Sequence, residues 1–254
     1  MTSTHPTPTS RTLVIVPAWN EADVIGRTIR EVYAADAEAD VVVVDDGSRD
    51  GTSAIAAHAG AAVLELPFNM GVGAAMRTGF LYAWRAGYDY VVQVDADGQH
   101  DPANIPSLIA PLKAGQADIV IGSRFAEDRG YPISGPRKWA IKMLSVVLTQ
   151  ISGVRLTDIT SGFRAANRVA LAQYLRHYPN EYLGDTVDSL VVAIKHGYRV
   201  AEVPVTMRVR QGGLPSHSPV RSALFLVRSS LVVLLALTTR TVKRPDAGGE
   251  HGHG

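Results

Sequence analysis

The chain contains no cysteine. That excludes disulfides and thiolate metal sites and fits a reducing compartment. Net charge is nearly absent as well: 25 Lys and Arg against 24 Asp and Glu leave +1, no basic footprint for nucleic acid. The first 11 residues lack the apolar stretch of a secretory signal and, rich in Thr, Ser and Pro, read as a disordered lead. Two phosphate-binding fingerprints are missing. A dinucleotide-binding fold would carry a Gly-rich turn after its first strand, where this chain has Pro17-Ala18-Trp19. The turn Asn69-Met70-Gly71-Val72-Gly73 has no Walker lysine. There is no internal repeat, and residues 245–254, with His251 and His253, read as a disordered end rather than a metal site.

What is present is an apolar frame rich in short strands. Apolar residues make up 46% of the 254, enough for one large core. Strand-like apolar runs at 12–16, 41–44, 61–66, 90–94 and 119–121 alternate with helical patterns at 21–34, 50–59, 73–86 and 105–114. Continuous apolar runs joined by helices predict an α/β, Rossmann-like, mostly parallel sheet flanked by helices. Further on, 136–151 and 185–195 read as helices and 199–204 as an edge strand ended by Pro204. The stretch 211–219 is a loop loaded with Gly, Pro and Ser.

The acids sit where strands finish. Val91-Val92-Gln93-Val94 runs into Asp95-Ala96-Asp97-Gly98-Gln99-His100. In open α/β sheets ligands bind at the carboxyl ends of the strands. Carboxylates there suit a hard divalent cation that also holds phosphate oxygens; the other reading is a loop whose Asp residues cap the next helix. The second strand ends in Asp45-Asp46-Gly47-Ser48, where a carboxylate accepts from a ribose hydroxyl or a base N–H, and Asp50 is placed to cap the following helix. The 69–73 turn serves either phosphate binding at a helix N-terminus or close helix packing. Arg124, Arg137 and Arg210 are the basic candidates, each a phosphate reader or a solvated surface residue.

Taken together these segments resemble the family-2 glycosyltransferases of the GT-A fold, and within them the polyprenyl-phosphate sugar synthases. The matching motifs are Pro17-Ala18-Trp19-Asn20-Glu21, Asp45-Asp46-Gly47-Ser48, Asn69-x-Gly71-x-Gly73, Asp95-Ala96-Asp97-Gly98-Gln99-His100, Gly122-Ser123-Arg124 and Asp158-Ile159-Thr160-Ser161-Gly162-Phe163-Arg164, in family order. The resemblance implies a nucleoside pocket lined by Pro17, Trp19, Glu21, Val44 and Asp46. It places Asp95, Ala96 and Asp97 along the donor diphosphate, and gives Asp97 and Gln99, with Asp95, a Mg²⁺ or Mn²⁺ ion. Arg124, Arg137 and Arg210 would receive the acceptor phosphate. Where relatives have a lysine after that last arginine, His217 is a partial substitute, and Trp19 stands where tyrosine is commoner. The implied reaction is inverting transfer of a sugar from a nucleotide-sugar, UDP-linked in preference to GDP-mannose, to a polyprenyl phosphate. A lipid phosphate is already anionic and needs no strong base, unlike a sugar hydroxyl. A hydroxyl acceptor would instead call on Asp185, Asp188 or Asp158 as base, and a non-catalytic nucleotide-sugar scaffold is a third reading.

The expected division is a disordered lead 1–11, a catalytic domain 12–220, an amphipathic juxtamembrane helix 221–244 and a tail 245–254. Residues 222–239 are almost wholly apolar but carry Arg228 inside, with Arg221, Arg240, Lys243 and Arg244 flanking. An interior arginine is costly in a span, so a helix lying in the membrane surface is expected, with a buried core helix as the other reading. The expected place of action is the cytoplasmic face of the plasma membrane, peripheral or anchored by one helix, with a small transmembrane protein as a possible partner.

Overall fold

The structure is a computed structural model and describes residues 10–124, 136–177 and 184–208. Its elements run β1 (Thr12–Ala18), α1 (Ala22–Ala35), β2 (Asp40–Asp45), α2 (Thr52–His58), β3 (Ala62–Glu65), α3 (Val72–Arg85) and β4 (Tyr90–Gln93). A single 3-10 turn, Pro102–Asn104, leads to α4 (Ile105–Lys113) and β5 (Ile119–Ser123). Then come α5 (Pro136–Ser152), β6 (Arg164–Asn167), α6 (Arg168–His177), α7 (Gly184–Lys195) and β7 (Val200–Pro204). Seven strands form one sheet in the order β3-β2-β1-β4-β6-β5-β7. All pairs are parallel except those of β6, which runs antiparallel to both β4 and β5.

The continuous apolar runs follow from burial on both faces. In β1, Leu13 and Ile15 point into a core with Met76 and Phe80 of α3 and Leu190 of α7. Val14 and Val16 point the other way, against Ile25 and Ile29 of α1 and Leu108 of α4. A strand covered on both sides has no polar face to alternate with. On the first face α3 comes very close. A Cβ on Gly79 would sit 2.5 Å from Ile15 Cγ2, so only glycine lets this helix lie down on β1.

The parallel half matches the sequence reading to within one or two residues at most strand and helix ends, and β7 is the expected edge strand. The pair β6–α6 was not foreseen. Arg164-Ala165-Ala166-Asn167 has low intrinsic strand preference, yet Ala165 and Ala166 are buried between two neighbouring strands, where small residues fit. Among the described residues no helix is long and apolar enough to cross a membrane. The expected C-terminal helix at 222–239 lies outside the described residues.

Candidate active site

The parallel strands β1, β2 and β4 bring their carboxyl ends to one rim, and the loops there are bound to each other. Asn20, in the left-handed region at φ 53°, donates its N–H to Ser48 Oγ (2.8 Å), and its side-chain oxygen accepts from the Arg49 N–H (2.9 Å). Glu21 N–H donates to Thr52 Oγ1 at 2.9 Å. Asp50 accepts from the Ala22 and Thr52 N–H groups, both at 3.1 Å, and from the Thr52 hydroxyl at 2.6 Å. Burial tends to raise this carboxyl, but those bonds outweigh it and hold it below its ordinary value. Asp50 thus serves the starts of α1 and α2 together, while the N-cap of α2 is Gly51.

Asp46 is spoken for by backbone. Its two oxygens accept from the Met70 N–H (2.7 Å) and the Gly71 N–H (2.8 Å). Burial raises its pKa in spite of both bonds. The 69–73 segment is therefore a turn tied to the end of β2, and two N–H groups that could have met phosphate face Asp46 instead. Gly47, at φ 72°, is pressed against that turn: a Cβ there would lie 2.6 Å from the Phe68 carbonyl carbon. Asp46 keeps a second lone pair on each oxygen as an acceptor. The Val44 side chain is wholly buried in the core with Ile15 and Ala75, just before the two aspartates, so only its backbone is placed to line a pocket. Trp19 is half exposed on this rim and Glu21 is buried below it. Phe68 and Met70, also exposed, flank the same strand ends and were not foreseen. Pro17 pairs in the ladder with Val44.

After β4 the chain places its acids in fixed poses. Asp97 Oδ1 accepts from the Gln99 N–H at 3.0 Å, a local turn that aims the carboxylate. Ala96 is buried, its carbonyl held by Thr28 Oγ1 at 3.1 Å. The Asp95 side chain is 38% exposed. Its Oδ1 accepts from Gln93 Nε2 at 3.1 Å. Among the described residues no group of three or more His, Asp or Glu stands ready for a metal ion. The candidate set is two carboxylates and one amide oxygen, from Asp95, Asp97 and Gln99. That all-oxygen set fits Mg²⁺ or Mn²⁺, which complete their shells with water and substrate phosphates.

Arg124 departs from expectation. Its guanidinium grips the fully buried Asp158 bidentately, Nε–Oδ2 at 2.6 Å and Nη2–Oδ1 at 2.8 Å. Those two nitrogens are turned to a carboxylate of the protein, and both Asp158 oxygens accept from Arg124. The Thr157–Asp158 backbone is held in turn by Glu202 of β7, which accepts from both N–H groups at 2.8 and 2.7 Å. Asp188 on α7 is buried, and burial pushes its carboxyl up to about 6. Arg137 opens the first turn of α5, but its side chain, that of Asp185, and all of Arg210 and His217 lie outside what is described.

Three contacts had no sequence-level reading. His100 pairs with Met207 in an isolated antiparallel bridge, and the Arg208 N–H donates to the Gln99 carbonyl at 2.9 Å. The Arg208 side chain reaches Asp101 (2.7 Å) and Glu31. The segment leading to Arg210 is thereby fastened to the metal-candidate loop. Only a pairing between residues 107 apart, as between Asp101 and Arg208, joins them, and no local pattern announces that.

The family model described as Glycosyl transferase family 2 matches residues 13–175, from β1 into α6. The chain belongs to this family. The glycosyltransferase is 35% identical over 235 residues to a polyprenol monophosphomannose synthase of Mycolicibacterium smegmatis, covering 87% of this chain and 86% of that one. It is 35% identical over 214 residues to an undecaprenyl-phosphate mannosyltransferase of Micrococcus luteus, covering 80% and 86%. Among solved structures it is similar to glucosyl-3-phosphoglycerate synthase of Mycobacterium tuberculosis in complex with Mn²⁺, UDP and product. The TM-score is 0.67 at 20% identity, over 94% of this chain and 82% of that chain, a likeness of fold.

Proposed function

We propose that the glycosyltransferase moves a sugar from a nucleotide-sugar to the phosphate of a polyprenyl lipid, with a divalent ion at Asp95, Asp97 and Gln99. The observation that carries this reading is the single rim on which the Asp46 turn, Asp95 and Asp97 meet. It stands in a chain whose two 35%-identical relatives are both named for a polyprenyl-type phosphate acceptor. Those two names also carry mannose, which favours a mannosyl donor over the UDP-glucose or UDP-N-acetylhexosamine preference drawn from the sequence. UDP has behind it a neighbour of like fold and a 28%-identical relative of Methanococcus voltae named for transfer from UDP-N-acetylglucosamine to dolichyl phosphate.

An acceptor phosphate oxygen attacks the anomeric carbon as the bond from that carbon to the diphosphate breaks. Nucleoside diphosphate departs, and the configuration inverts. When bound, the metal ion neutralises the departing diphosphate. Asp97, aimed by the Gln99 N–H, and Asp95, braced by Gln93, hold the place where that charge gathers. Trp19 offers a flat wall and Asp46 an acceptor for the nucleoside. Because the nucleophile is already an anion, no side chain has to remove a proton; alignment and charge neutralisation carry the rate. Arg137 and Arg210 are assigned to the lipid phosphate, with His217 as a further candidate. Arg124 acts through Asp158, fixing the loop that faces the acceptor. In this reading the apolar, arginine-bearing sequence of 221–244 serves to bind the cytoplasmic membrane surface.

The test is an assay with polyprenyl phosphate, Mn²⁺ or Mg²⁺, and GDP-mannose, UDP-glucose and UDP-N-acetylglucosamine in separate reactions, scored by formation of a charged glycolipid. Glycolipid from one donor, abolished by EDTA and by Asp97→Ala, is the expected result. Transfer to a glycan hydroxyl with none to the lipid phosphate would refute the reading, as would full turnover by Asp97→Ala.

A further inference from the structure

We infer that His100 is the positioning residue for Asp95, holding the backbone and the carboxylate of that residue with one rigid ring; the inference rests on Asp95 being a ligand of the divalent ion. The imidazole is 2% exposed and lies flat on Phe163, ring centres 4.7 Å apart and planes 10° from parallel. The Asp95 N–H donates to Nδ1 at 2.9 Å. Nδ1 must therefore present its lone pair, and the ring carries its proton on Nε2. Nε2 stands 3.5 Å from Asp95 Oδ2. Both ring nitrogens thus address the same aspartate.

The other sides of that carboxylate are closed by different residues. Gln93 Nε2 donates to Oδ1. Gly162 comes so near that a Cβ on it would lie 3.5 and 3.7 Å from the two oxygens and 3.1 Å from Gln93 Nε2. Gln93, Gly162 and His100 bound the carboxylate and leave its exposed edge as the one that faces a ligand. A donor behind a ligating carboxylate fixes its rotamer and so the affinity of the ion. A ring does this better than a flexible amide here. Stacking on Phe163 fixes its plane, and Phe163 is itself wholly buried, with its carbonyl accepting from the Gly122 N–H at 2.8 Å. The turn after Asp158 and the end of β5 thereby hold the ring that holds Asp95.

The experiment measures Mn²⁺ binding directly, by the loss of the free-ion electron paramagnetic resonance signal on titration into the purified full chain, with no substrate. Steady-state rates are recorded as a function of Mn²⁺ and of lipid acceptor. His100→Asn keeps an acceptor for the Asp95 N–H but cannot reach the carboxylate. It is expected to weaken Mn²⁺ about tenfold or more and to raise the KM for Mn²⁺ in step. The rate at saturating metal and the KM for lipid should stay near wild type. His100→Gln restores an N–H toward the carboxylate and should recover part of the affinity. Phe163→Leu, which removes the stacking face and leaves both ring nitrogens, should shift Mn²⁺ in the same direction by less, and it tests the idea should the Asn variant not fold. Folded variants that bind Mn²⁺ as tightly as wild type overturn the inference alone. A wild-type chain that binds no Mn²⁺ overturns the functional reading and this inference with it.

Discussion

Asp46 spends both oxygens on the backbone of the turn that follows β3, and this makes it sensitive to the smallest substitution. Asp46→Asn exchanges one oxygen for an NH₂ that must face a backbone N–H, donor against donor. At a buried site the lost bond and the stranded donor cost about 1–3 kcal/mol. The expected outcome is lower stability in urea melts together with a several-fold higher KM for the nucleotide-sugar. A variant as stable as wild type, with unchanged donor KM, would show that the turn does not depend on this carboxylate. In the sequence Asp46 was legible as an acid at the end of a buried strand, but not as a structural tie. Its partners are N–H groups 24 and 25 residues away. The burial of the Val44 side chain and the pairing of Arg124 with Asp158 were unread for the same reason. Chain position shows that a residue lies at a strand end, whereas which neighbour claims its side chain is decided in three dimensions.

At the scale of elements, the packing of α3 on β1 sets two effects of known size against each other. Alanine in place of Gly79 would favour the helix by ~1 kcal/mol. The same methyl would drive into the stiff, β-branched Ile15, whose side chain has no exposed surface to move toward. Overpacking of that kind costs ~1–3 kcal/mol. The clash wins because Ile15 is held from both neighbouring strands. Gly79→Ala should lose about 1 kcal/mol or slightly more in net stability, a fall in Tm of roughly 2–4 °C; a rise in Tm would mean that β1 yields. A second element-level test concerns the pairing of 99–100 with 207–208. Arg208→Met keeps the backbone bond to Gln99 and the apolar stem but removes the ion pairs to Asp101 and Glu31. These pairs are partly exposed, so the stability change should stay within about 1 kcal/mol. If the chain beyond Arg208 presents Arg210 to the lipid phosphate, the KM for lipid rises several-fold while that for the nucleotide-sugar holds. Equal shifts in both would contradict that division of labour.

Over the whole molecule, the parallel half was readable because burial on two faces writes itself into the sequence as unbroken apolar runs. The antiparallel β6 was not, because a strand enclosed between two others needs only small residues and borrows its conformation from them. The placing of acids at the ends of β2 and β4 on one rim followed from the rule that parallel strands end on the same side. The ring of His100, the clamp of Arg208 and the hold of Glu202 on the 157–158 backbone depend on contacts between distant segments and left no local trace. Global stability carries one further signature of burial, at Asp188. Its folded carboxyl titrates near 6, against ~3.9 for an unperturbed aspartate. Below about pH 4 both folded and unfolded chains hold that proton. Between about pH 4 and 6 the folded chain keeps a proton the unfolded chain has released, so this residue's contribution falls as pH rises, and above 6 its slope vanishes. Asp188→Asn cannot ionise and lacks this slope. The difference in Tm, variant minus wild type, should therefore be more positive at pH 7 than at pH 4 whatever its absolute sign. Calorimetric scans at the two pH values measure it, and a difference that does not change with pH would mean that Asp188 is charged in the folded core throughout.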